Sequence, residues 1–218
     1  MKTVAILSGK GGAGKTTLAV HLAVASVLAG HSTALIDLDP QASAFAWHQT
    51  RPDDVPSPVV ISAHAARLLE ILDTAKEKGV ALTIIDTAPH AETPALAAAR
   101  AASLVLIPCR PAIFDLRSIR TTIDMTQLAG VPARIVLNAV PPRGNKAEQA
   151  RTAISTYNVP CAPCQLGQRV AFVNSVTSGS TAQELDKKGK AAQEILALYN
   201  YMTQQIGDTH EKAEYGTH

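Results

Sequence analysis

The chain has 218 residues, of which 46% are hydrophobic and 17% charged; this excludes an intrinsically disordered chain and allows one α/β domain with a substantial core. Its formal net charge is only +2, so no strong overall field draws a polyanion, and any nucleic-acid affinity must come from a local patch. Aromatic residues at 4% are too few for base-stacking platforms, and the cysteines, Cys109, Cys161 and Cys164, suit a reducing compartment and build no disulfide framework.

In chain order, residues 2–7 are an apolar strand, and residues 8–16 a glycine-rich loop. A helix-length apolar run over 17–29 follows, stopped by Gly30. Residues 32–37 read as a buried strand, 42–48 as a short helix, 51–58 as a polar connection and 59–61 as a short strand. An amphipathic helix over 63–78 closes at Gly79, and the strand 80–86 ends in an acid. Helix 93–102, strand 104–107, helix 115–129, strand 133–140, helix 146–157 and a strand from 159 to 161 or beyond continue the alternation. One long helix is expected over 182–204. Strands that read as continuous apolar runs, alternating with helices, predict a three-layer α/β fold: a mostly parallel sheet with helices on both faces. The expectation is a single domain over 1–206 with a polar, frayed tail over 207–218. No apolar leader opens the chain and no run of roughly eighteen apolar residues follows, so the expected location is cytoplasmic.

Ser8-Gly9-Lys10-Gly11-Gly12-Ala13-Gly14-Lys15-Thr16-Thr17 carries the chemistry. It matches the P-loop pattern of Gly, four residues, then Gly-Lys-Thr. Glycines let the backbone point successive N–H groups inward as an anion nest at a helix N-terminus. Gly11, Gly12, Ala13, Gly14, Lys15, Thr16 and Thr17 are therefore the nucleotide-binding candidates, with Lys15 on the outer phosphates and the Thr16 hydroxyl on magnesium. Asp86, ending an apolar strand ahead of Thr87-Ala88-Pro89, suits a magnesium-holding acid that acts through water. Asp37 and Asp39 lie two apart, where an extended chain puts both on one side.

Lys10 opening the loop makes Lys-Gly-Gly-Ala-Gly-Lys-Thr resemble the deviant Walker A box of the ParA and MinD class of P-loop ATPases, and the resemblance to ParA spans nearly the whole chain. It implies ATP and Mg2+ as cofactors and a homodimer when ATP is bound, with Lys10 reaching the nucleotide of the other subunit. Ile36-Asp37-Leu38-Asp39-Pro40-Gln41 resembles the family's switch I. That makes Asp39 the candidate for positioning the attacking water, alongside Lys10 and Lys15 as catalytic residues, and leaves Asp37 a supporting role. Asp86-Thr87-Ala88-Pro89 resembles switch II, and Asn138 stands where family members read the adenine edge.

The resemblance further implies slow, partner-stimulated ATP hydrolysis, a ParB-like or adaptor partner, and sequence-indifferent binding of double-stranded DNA by scattered basic residues. Arg169, Lys187, Lys188 and Lys190 are the candidates for that contact, which would associate the protein with the nucleoid. The cargo would be a plasmid, chromosome or protein assembly. A rival reading rests on Cys161-Ala162-Pro163-Cys164, since Mrp-type iron–sulfur carriers share this Walker box and hold a cluster with a Cys-x-x-Cys from each subunit. Against it, positions three apart in an extended strand face opposite ways. A membrane-attached relative would need an amphipathic C-terminal helix, and 204–218 offers only Ile206 and Tyr215 as large apolar residues. A small-molecule synthetase stays open.

Overall fold

The computed structural model describes residues 1–214. The chain alternates strand and helix in the order β1 (Lys2–Ile6), α1 (Lys15–Leu28), β2 (Thr33–Asp37), α2 (Ser43–Gln49), β3 (Val59–Ser62), α3 (Leu68–Glu77), β4 (Leu82–Asp86), α4 (Glu92–Ala101), β5 (Leu104–Cys109), α5 (Ile113–Ala129), β6 (Ala133–Val140), α6 (Lys146–Ile154) and β7 (Cys161–Gly167). Three helices close it, α7 (Val170–Thr177), α8 (Ala182–Leu185) and α9 (Lys190–Glu214).

The strands form one sheet in the order β3-β2-β4-β1-β5-β6-β7, with every neighbouring pair parallel. This is the three-layer architecture expected from the apolar strands. β1, β2 and β4 are buried along nearly their whole length because both faces are covered. On one face α1, α2, α7, α8 and α9 pack with Leu22, Leu35, Ile84, Leu106 and Leu198. On the other, α3 to α6 pack with Ile36, Ile85, Val105, Ile107 and Leu137. α1 leads from β1 one way across the sheet to β2, while α5 leads from β5 the other way to β6. A crevice therefore opens above the carboxyl ends of the central strands, where such sheets bind ligands.

The late region departs from expectation. Residues 170–177, with three valines, form a helix despite weak helix propensity, because Phe172 and Ser175 find buried places against His21 of α1. The helix expected over 182–204 is two helices. The Asp186 carboxylate accepts the Lys188 N–H at 3.1 Å and its carbonyl accepts the Gly189 N–H at 3.0 Å, turning the chain between α8 and α9. α9 continues past Gly207 to Glu214; the last four residues of the expected tail lie outside the described residues.

Candidate functional site

The glycine loop leaves the end of β1 at the centre of the sheet. Gly12 and Gly14 adopt left-handed backbone (φ 73° and 91°), which residues with a side chain resist. Gly14 caps α1 without a side chain, so the first-turn N–H groups of Lys15, Thr16 and Thr17 have no partner within the helix and face the crevice as an anion site. The loop is pinned from behind: Thr122 on α5 accepts the Gly9 N–H at 3.2 Å.

Asp86 sits in register with Ile6 on β1 and Asp37 on β2, fully buried. One carboxylate oxygen accepts the Thr16 hydroxyl at 2.6 Å and the other the Thr87 N–H at 3.0 Å. Burial pushes its pKa up to about 7, against the hydrogen bond from Thr16 and the charge of Lys15. Two hard oxygen donors thus converge beside the helix terminus, a donor set that fits magnesium, and a divalent cation would favour the ionised form that burial resists. Lys15 is buried; desolvation holds its pKa below the usual lysine range, while Asp86 and Asp39 pull it upward.

Asp37 and Asp39 divide their tasks. The buried Asp37 carboxylate accepts the N–H of Asp39 at 3.0 Å, and of Ala44 and Phe45 at 2.9 and 3.2 Å. It therefore shapes the loop and holds the start of α2. Asp39 is half-exposed, accepts the Gln41 N–H at 2.9 Å, and lines a cleft of about 550 Å³ with Lys15, Thr16, Pro40, Ala88 and Pro89. This cleft brings both switch-like segments against the glycine loop.

An adjoining cavity of about 390 Å³ runs from Gly14 and Thr17 past Asn138 to Phe172. The Asn138 amide donates to the Ala13 carbonyl at 2.7 Å and accepts its neighbour's N–H at 2.8 Å. It thus braces the loop and keeps one amide hydrogen and one lone pair for a ligand. Arg110, at the end of β5, lines the same cavity and lies against Gly12. Arg110 carries no signal in the sequence, since it belongs to no motif and reaches the site only because β5 lies beside β1.

Lys10 does not stand free. Its ammonium pairs with Asp115 at the start of α5 at 2.5 Å. Arg169 also differs from the other basic candidates: Glu194 binds its guanidinium through both carboxylate oxygens, at 2.9 and 2.5 Å, so its charge is already neutralised beside the cavity. Lys187, Lys188 and Lys190 are exposed around the turn between α8 and α9. Cys161 packs with the core on one face of the sheet and Cys164 with the core on the other. The two thiols therefore lie on opposite faces of the sheet, across a stretch of β7 whose register shifts against β6, an arrangement that does not favour one shared cluster.

Residues 4–182 match the model of the CobQ/CobB/MinD/ParA nucleotide binding domain family. The chain belongs to that family. It is a ParA/MinD-type P-loop ATPase domain by family. A relative, the "Maintenance of carboxysome distribution protein A" of Gloeobacter kilaueensis, is 32% identical over 208 residues, covering 94% of each chain. Among solved structures, Pyrococcus horikoshii MinD complexed with Mg-ADP superposes with a TM-score of 0.79 at 19% identity over 95% of this chain and 98% of that one. A Cyanothece McdA variant complexed with ATP gives 0.78 at 16% over 95% and 96%. At these identities the two structures speak for the fold. Among the described residues no helix is long and apolar enough to cross a membrane.

Proposed function

We propose that the protein is a ParA-like ATPase that binds ATP with magnesium, closes into a homodimer, and positions a cargo with the help of a partner that stimulates hydrolysis. The observation that carries this is the meeting of Thr16 and Asp86 at 2.6 Å at the open N-terminus of α1, with the Lys15 charge attracted by both Asp86 and Asp39. The polyphosphate lies along the loop N–H groups of 11–17, and the base in the cavity bordered by Asn138. Magnesium, when bound, neutralises charge on the phosphate oxygens.

Lys15 holds the outer phosphates and absorbs charge that develops on them. Asp39 faces the cleft from its half-exposed turn and orients the attacking water. Lys10 of the second copy completes the charge around the terminal phosphate once it has left Asp115. The γ-phosphate favours the closed dimer through contacts that ADP lacks, so hydrolysis reopens it.

The closed dimer binds double-stranded DNA without sequence preference, its contact including the exposed Lys187, Lys188 and Lys190. The carboxysome-distribution relative supports a protein assembly as cargo; the ParA-type family membership equally accommodates a plasmid or chromosome. Co-sedimentation with DNA in ATP, ADP and no nucleotide, at two salt concentrations, tests the reading. ATP-dependent, salt-sensitive, sequence-indifferent binding is expected. Asp39→Ala should then hold the DNA-bound dimer without turnover, and normal turnover in that variant would remove Asp39 from the mechanism.

A further inference from the structure

We propose that the Arg51–Glu184 pair transmits the state of the nucleotide cleft to the lysine-bearing turn at 186–190. The inference rests on the reading of the cleft as an ATP site. It concerns two residues outside the cleft, which act by position and touch no nucleotide.

The path starts at Asp37. Its carboxylate holds the N–H of Asp39 in the cleft and the first N–H groups of α2, so a displacement of the Asp39 loop carries the start of α2 with it. α2 has only seven residues and behaves as a short rigid rod. At its far end the chain is gripped by residues 179–184. The Trp47 indole N–H donates to the Ser180 carbonyl at 3.0 Å. Arg51 donates to the Gly179 carbonyl at 3.2 Å and to both Glu184 carboxylate oxygens at 3.2 and 2.7 Å.

The Arg51 side chain is 2% exposed and its guanidinium lies over the Trp47 ring, 4.7 Å from the centroid. Glu184 is held from its own side by the Ser180 and Thr181 hydroxyls. Gly179 closes the joint: its left-handed backbone lies against the Thr50 carbonyl, leaving no room for a side chain. A bidentate, desolvated pair with this support fixes orientation as well as distance.

The same segment is tied independently to the helix of the glycine loop. The Ala182 N–H donates to the His21 ring at 3.1 Å, and the Gln183 amide donates to the His21 carbonyl at 2.6 Å. Residues 179–184 are thus held by α1, which carries Lys15 and Thr16, and by α2, which follows Asp39. A shift of the Asp39 loop relative to the glycine loop must therefore be taken up in this segment. Its continuation is the turn: the Asp186 N–H bonds the Ala182 carbonyl and the Gly189 N–H bonds the Asp186 carbonyl, both at 3.0 Å, with Lys187, Lys188 and Lys190 exposed along it.

Hydrogen exchange read by mass spectrometry on the full chain tests this, with magnesium and either ADP or a non-hydrolysable ATP analogue. In the wild type, amides of 185–190 are expected to exchange with rates differing about fivefold or more between the two nucleotides. Arg51→Lys keeps the charge and loses the fork. In it, and in Glu184→Gln, the difference should fall below about twofold, while protection of the loop amides 11–17 stays within about threefold of wild type. A wild-type response at the turn in both folded variants overturns the proposal, as does a silent turn in a wild type whose loop amides are protected. If neither variant folds, Trp47→Phe, which removes the Ser180 bond and leaves a smaller ring beneath the Arg51 guanidinium, must at least halve the response; an unaltered response overturns the proposal. Absence of protection at 11–17 with either nucleotide overturns the reading of the cleft and the transmission with it. A responsive turn in a protein that ignores DNA supports the transmission and counts only against the DNA contact.

Discussion

Replacing His21 with Gln should change how stability depends on pH, by an amount the structure fixes. His21 is fully buried on α1. Its ring accepts the Ala182 N–H at 3.1 Å through Nε2, which obliges Nδ1 to carry the proton and donate it to the Thr17 carbonyl at 2.7 Å. The Phe172 ring meets it edge-on, centroids 5.2 Å apart. Burial pushes the pKa down to about 4 from the ordinary 6.5, against the Thr17 carbonyl and the charge of Glu184. Above pH 6.5 the ring is neutral folded and unfolded, and titration costs nothing. Between 6.5 and about 4 only the unfolded chain takes up the proton, so stability falls by about 1.4 kcal/mol per pH unit, roughly 3 kcal/mol in all, and levels below. Asp86 works the other way: its pKa, lifted to about 7 from 3.8, lets the folded state hold a proton that the unfolded state has released, so its contribution grows as pH falls through that window. The raw profile therefore mixes the two, and the difference between wild type and His21→Gln isolates the histidine. Urea unfolding followed by the emission of Trp47, the single tryptophan, at pH 7.5, 6, 5 and 4 reads it. Wild-type and variant curves that run parallel across this range would refute the argument.

Two further substitutions test the site. Gly14→Ala forces a left-handed backbone on a residue with a side chain, about 1–2 kcal/mol, and drives its Cβ into the Asn138 amide that braces the Ala13 carbonyl. Nucleotide affinity, measured by titration calorimetry, should drop at least about tenfold in a protein whose far-UV circular dichroism is unchanged. Asp115→Asn removes the partner of Lys10 and should lower the protein concentration at which ATP produces dimers by a few-fold, because the lysine no longer has to leave an ion pair. Sedimentation velocity with ATP and magnesium reads that change.

The fold was legible because its strands are buried on both faces and so read as apolar runs, and because glycines end the helices at Gly30 and Gly79 where the backbone turns left-handed. The glycine loop and the strand-end acids were legible for a related reason: anion binding and metal binding demand particular residue types at particular spacings. Arg110, Asp115 and Thr122 were not, since each reaches the loop from the end of β5 or from α5, about a hundred positions away in the chain, and proximity of that kind has no local pattern. The break between α8 and α9 was hidden by an apolar periodicity that runs on either side of it. Only the Asx turn at Asp186 and the space required by Gly189 against that carboxylate mark it.

Asp37 and Asp39 show where a motif stops and physics decides. Both lie at the end of β2, and an extended chain would give them one face and one task. The structure separates them because backbone N–H groups need acceptors wherever water cannot reach. Asp37, at 0% exposure, answers three such groups and has no carboxylate oxygen left without one. The Asp39 carboxylate answers only the Gln41 N–H at the open rim, and the residue lines the cleft that also holds Lys15. Asp37→Asn would retain two acceptor sites at most on one oxygen and present an amide to N–H groups on the other. It should therefore loosen α2 and the Asp39 loop together, lowering thermal stability as well as turnover. Asp39→Asn should leave the melting temperature near that of the wild type and affect turnover alone. A pair of variants with equal losses of stability would mean that the two carboxylates share a structural role after all.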